Sequence, residues 1–145
     1  MDEKDTTKNA EIRFRQGKTL YNQGRYDEAM VFLEQAVRMR DNKGDYYLLL
    51  AMTESKVPSL TKKAEKDFLK SIELEPWNPE GHVGLGLLYK REGLLARARK
   101  QFEKALEQDS EHNVAQREFH LMLEKDGKKG LKGLFGKDLF GHKKK

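Results

Sequence analysis

The sequence predicts an all-α protein, an α-α superhelix of three helical hairpins closed by one further helix. Three observations carry that prediction. One sequence period recurs along the chain, small and large side chains keep one register within it, and only three prolines and few β-branched residues are present. Charged and hydrophobic residues each make up 37% of the 145 residues. That balance suits one domain with a thin core and a wide solvated surface.

The first copy of the period is AEIRFRQGKTLYNQGRYDEAMVFLEQAVRMRDNK, residues 10–43, and the third is PEGHVGLGLLYKREGLLARARKQFEKALEQDSEH, residues 79–112. The middle copy, residues 44–78, is one residue longer. Gly17, Ala51 and Gly86 are small residues in the first helix of each pair. Ala29, Ala64 and Ala98 open the second helix, and Leu33, Phe68 and Phe102 follow one helical turn on. Ala36, Ser71 and Ala105 are small again. Small positions let helices approach and large ones fill the gaps. Gly24 and Gly93 stand between paired helices, where a tight turn requires positive φ. The extra residue of the middle copy falls in Lys56-Val57-Pro58-Ser59-Leu60-Thr61, where Pro58 forbids a continuous helix.

Residues 111–126 read as a capping helix with Ala115, Phe119, Met122 and Leu123 as its apolar stripe. Gln116, Arg117, Glu118 and Glu124 are expected on its polar outer side, since a terminal repeat must not leave its apolar face in water. Residues 1–9 are expected to be a flexible lead, which places the helical domain at 10–126 and a basic tail at 127–145.

Gly24-Arg25-Tyr26-Asp27-Glu28-Ala29 and Ile72-Glu73-Leu74-Glu75-Pro76 resemble the turn and the helix ending of the tetratricopeptide repeat family. The resemblance covers about residues 10–123. Arg13 and His82 depart from it where the family favours a large aromatic, which Tyr47 keeps, and Asp41 and Ser110 replace the proline found at Pro76. It implies a protein–protein interaction module, a scaffold or adaptor, that binds a peptide or protein segment in a concave groove lined by the first helix of each pair. The groove positions it implies are Phe14, Lys18, Tyr21 and Asn22, then Leu48, Met52, Ser55 and Lys56, then Val83, Leu87, Lys90 and Arg91. Some family members clamp the C-terminal carboxylate of Hsp70 or Hsp90. The corresponding positions here are Phe14, Lys18, Leu49, Glu80 and Gly84, and of these only Lys18 fits, so that ligand is not expected.

The tail holds seven lysines and one acid, leaving 22 basic and 23 acidic residues elsewhere. The net charge of +5 is therefore a property of the tail. Its five glycines argue against an isolated helix, so it is expected to be disordered. Leu134-Phe135-Gly136 recurs as Leu139-Phe140-Gly141, and Leu134, Phe135, Leu139 and Phe140 alternate with lysines. An alternative function follows, a surface-targeting adaptor whose tail makes weak contact with anionic membrane or nucleic acid. Such tails also resemble the ends of bacterial multidomain proteins that finish in tetratricopeptide repeats, some with a J domain upstream. That likeness implies a chaperone-associated chain and the C-terminal part of a larger protein.

Other classes find no support. The chain has no cysteine, so disulfides, thiolate zinc sites and a Cys nucleophile are excluded. His82, His112, His120 and His142 show no metal-ligand spacing, and neither a nucleophile–base set nor a phosphate loop is present. Neither enzyme activity nor a cofactor is expected. The N-terminus carries no signal-peptide pattern, which makes the cytoplasm the expected compartment.

Overall fold

The computed structural model describes residues 2–135. Among the described residues there are seven α-helices and no strand. They are α1 (Glu3–Asn22), α2 (Tyr26–Met39), α3 (Gly44–Glu54), α4 (Thr61–Leu74), α5 (Pro79–Arg91), α6 (Leu95–Gln108) and α7 (Asn113–Phe135). Helices α1 and α2, α3 and α4, and α5 and α6 pack most closely, as three hairpins. The second helix of each hairpin also packs on the next helix, and α7 lies on α6 as α3 lies on α2. The predicted superhelix is the observed fold.

The turns divide as their residues require. Gly24 and Gly93 have φ of 74° and 76°. Each closes a Schellman motif: Arg25 N–H donates to Leu20 C=O and Leu94 N–H to Tyr89 C=O, both at 2.9 Å. The middle hairpin has no such glycine, and its extra residue is taken up by a 3₁₀ turn, Pro58–Leu60.

The core follows the small and large columns. A methyl added at Gly17 would lie 2.6 Å from Leu33 Cγ, and one at Gly86 would lie 2.7 Å from Phe102 Cε1. Phe68 is buried with Ala51, Ala64, Leu85, Leu88 and Phe102 in the largest cluster. His120 stands at the same place on α7, one repeat after Gly86, and is exposed. Gly86→Val should therefore cost about 1–3 kcal/mol through overpacking, despite removing a helical glycine. Urea unfolding checks this, and an unchanged midpoint would contradict the packing account.

Three expectations need correction. Residues 3–9 are helical, not a loose lead. Asp2 caps α1, its carboxylate accepting from Asp5 N–H at 2.8 Å, and Glu3 and Asp5 favour the positive end of the helix dipole. The capping helix starts at Asn113 and runs past Asp126 to Phe135. The glycine argument applies to a helix that must nucleate alone. This one extends a packed stem, so each glycine costs only about 1 kcal/mol of propagation. The third correction concerns the faces of α7. Ala115 and Met122 are buried, but Leu123 is exposed, and Glu118 is buried rather than on the outer side.

Candidate functional site

Helices α1, α3, α5 and α7 occupy equivalent places in the stack, so residues one period apart share a stripe. One stripe is Lys18, Met52, Leu87 and Leu121, each one repeat after the last. Lys18 is exposed and Met52 is half-buried. Leu87 and Leu121 are 41% and 45% exposed, high values for leucines on a stacked helix. Leu121 was not among the residues expected from sequence, yet it stands one period beyond Leu87.

The flanking positions are mixed. Leu48 is half-buried against the largest core cluster. Phe14 is spent on packing, its ring stacked on Tyr46 with centroids 4.6 Å apart. Val83 is 5% exposed among Ala105 and Ala115, because α7 closes over it. Val83 is therefore a core residue, not a groove residue. Tyr21 is half-buried, edge-on to Tyr26 at 5.6 Å. Asn22 and Lys56 are exposed.

The basic residues of the third hairpin are engaged. The Lys90 ammonium donates to the buried Glu118 carboxylate at 2.7 Å. The Arg91 guanidinium reaches back to the Ser55 carbonyl and lies 3.4 Å from the Thr61 hydroxyl. Arg91 thus ties the third hairpin to the second. At the opposite edge, Glu80 pairs with His112 at 2.6 Å. Leu134 and Phe135 fall on the last turns of α7, and Leu139 and Phe140 lie outside the described residues.

Behind the stripe sits an acidic pair that sequence reasoning missed. The Glu54 side chain is wholly buried, and Lys63 bridges it to Asp67, whose carboxylate lies 3.2 Å from the ammonium. Burial and the neighbouring Asp67 carboxyl, opposed by Lys63, push the Glu54 carboxyl up to about 8. Glu54 stands between Leu20 and Tyr89 in the repeat column, so a polar residue in an apolar column was the available signal. Tyr89 is pushed up to about 12, chiefly by burial, with the Glu65 carboxylate adding to the shift. Among the described residues no group of three or more His, Asp or Glu could hold a metal ion. Among them, no helix is long and apolar enough to cross a membrane.

Family models described as tetratricopeptide repeat match residues 10–43 and 79–112, the first and third copies of the period. Tetratricopeptide repeat protein 16 of Homo sapiens is 28% identical over 119 residues, covering 80% of this chain and 13% of its own. DnaJ homolog subfamily C member 7 of Mus musculus is 29% identical over 119 residues, covering 82% of this chain and 24% of its own. The chain thus spans a quarter or less of these curated relatives. Among solved structures, the first TPR of Spaghetti (RPAP3) bound to the HSP90 peptide SRMEEVD superposes with a TM-score of 0.77 at 18% identity. That likeness covers 83% of this chain and 95% of the other.

Proposed function

We propose that this chain, a member of the tetratricopeptide repeat family, is a protein-interaction module that holds a peptide along the stripe Lys18, Met52, Leu87 and Leu121. The observation that carries the reading is the exposure of Leu87 and Leu121 on equivalent helices of the stack. An apolar stripe with a positive residue at one end suits an extended or helical peptide with hydrophobic anchors and some acidic residues. The HSP90 peptide of the Spaghetti (RPAP3) structure is not the expected ligand. Of the clamp positions, Leu49 is buried, Gly84 lies against the Phe68 ring and Glu80 is paired with His112. A cytoplasmic location remains part of the proposal.

A peptide selected from a random library against the full chain tests this reading by amide chemical-shift mapping. Shifts are expected at Lys18, Met52 and Leu87. Leu87→Lys should weaken binding about tenfold, the equivalent of ~1.4 kcal/mol, with helicity unchanged. Shifts confined to α2, α4 and α6 would reject the groove.

A second reading has its own observation. Helix α7 continues to Phe135, so Lys128, Lys129 and Lys132 are carried on a helix joined to the folded domain. Such a segment suits anionic lipid or nucleic acid, at about 1 kcal/mol per lysine near a charged surface. Deletion of residues 127–145 should remove salt-sensitive binding to phosphatidylserine vesicles or to duplex DNA. No change on deletion would eliminate this reading.

A further inference from the structure

The array has three junctions, two between hairpins and one between the third hairpin and α7, built alike but filled differently. At the first, Tyr21 and Tyr26 meet edge to face, and Leu49 of α3 packs in the same cluster as Tyr21 and Met30. At the second, Arg91 crosses to Ser55 and Thr61. At the third, the places of Tyr21 and Tyr26 are held by Lys90 and Leu95, two repeats further along the chain. The Lys90 ammonium is drawn away to Glu118. A cleft of about 550 Å³ is left between α6 and α7.

We infer that this cleft is a side-chain pocket for one large apolar residue, preferably aromatic, of an acidic peptide. The inference rests on the groove reading above, because Lys90 and Leu121 belong to both the groove and the cleft. A peptide on the stripe passes the mouth of the cleft. The apolar wall is Leu95, Ala96, Leu121 and Met122, and Leu95 and Leu121 are 48% and 45% exposed. The aromatic ring that closes the first junction shows the kind of group that fits this place in the repeat.

Charge decides the occupant. The lining carries Lys90, Arg99 and Lys125 against Glu118 and Asp126. Lys90 pairs with Glu118 and Arg99 with Asp126, which leaves the positive charge of Lys125 at the cleft. The Leu-Phe pairs of the chain's own tail are embedded in seven lysines and one acid, the wrong sign for this site. A peptide with its apolar residue between glutamates has the right one.

Three peptides titrated into the full labelled chain test this. One is acetyl-Gly-Glu-Phe-Glu-Gly-amide, the second replaces its Phe by Ala, and the third copies residues 131–141. The Phe peptide should shift the amides of Leu95, Ala96 and Leu121, and the Ala peptide should bind about tenfold more weakly. Leu95→Tyr copies Tyr26 and fills the cleft from within. It should abolish those shifts without lowering the melting temperature. Equal binding of Phe and Ala peptides, unchanged binding to Leu95→Tyr, or tighter binding of the tail peptide would overturn the pocket. Shifts at Lys18 and Met52 without any at Leu95 would overturn it too, while sparing the groove. Shifts at Leu95 and Leu121 alone would support the pocket and count against the groove.

Discussion

Phe68→Ala should cost about 3–5 kcal/mol and make the two ends of the array unfold separately. The ring is 1% exposed in the largest core cluster. Its edge also lies directly against Gly84 on α5, so the side chain fills the seam between the second and third hairpins as well as its own. Truncation leaves a cavity that a glycine opposite cannot fill. Domains of this size are stable by only about 5–15 kcal/mol, and a solenoid's hairpins are held by their nearest neighbours. Trp77, 67% exposed in the loop between α4 and α5, reports on that seam. Urea unfolding followed by Trp77 fluorescence and by helical ellipticity should give two midpoints in the variant. Coincident midpoints with a loss below about 1 kcal/mol would show that Phe68 does not couple the hairpins.

Lys63→Met should have a large effect at pH 9.5 and a small one at pH 5. The Glu54 carboxyl has a folded value of about 8, above its ordinary value of 4.5. Between those two the native state holds more protons than the unfolded chain, so stability falls as pH rises through the window. Lys63 limits that fall, because its ammonium offsets a wholly buried carboxylate and also pairs with Asp67. Without it, Glu54 must either stay protonated or be buried as an unpaired charge. A loss of about 2 kcal/mol is expected at pH 9.5, where Glu54 is ionised in the folded protein and Lys63, 45% exposed, is still charged. At pH 5 protonation relieves most of it. Unfolding midpoints at both values measure the difference, and equal losses would mean that Glu54 stays neutral regardless of Lys63.

The hairpins could be read from sequence because each rests on a local rule repeated three times. Gly17 facing Leu33 and Gly86 facing Phe102 are the columns of the period turned into contacts. Gly24 and Gly93 adopt the positive φ their turns require. Features that depend on a later element were harder to see. Val83 has groove spacing on its own helix, and only the arrival of α7 buries it. Glu118 has the spacing of an outer-face residue, and only Lys90 of α5 draws it in. The N-terminal turns escaped because apolar periodicity begins at Ala10, whereas their helix is fixed by Asp2, a polar cap. Leu121 was within reach, since it stands one period after Leu87, but the closing helix lacks the paired helix that marks each earlier copy of the period.

His120 gives the array a stopping rule. Gly17 and Gly86 admit the large side chain of the helix that pairs with theirs, and α7 offers an imidazole at that place instead. A further second-type helix with a large residue at the place of Leu33 or Phe102 would meet this ring, so His120 disfavours growth at α7. Growth through duplication is favoured upstream, where a whole hairpin can be spliced between existing ones at residue 78 or 112 and find sockets on both sides. The length of the array is thus adjustable from within.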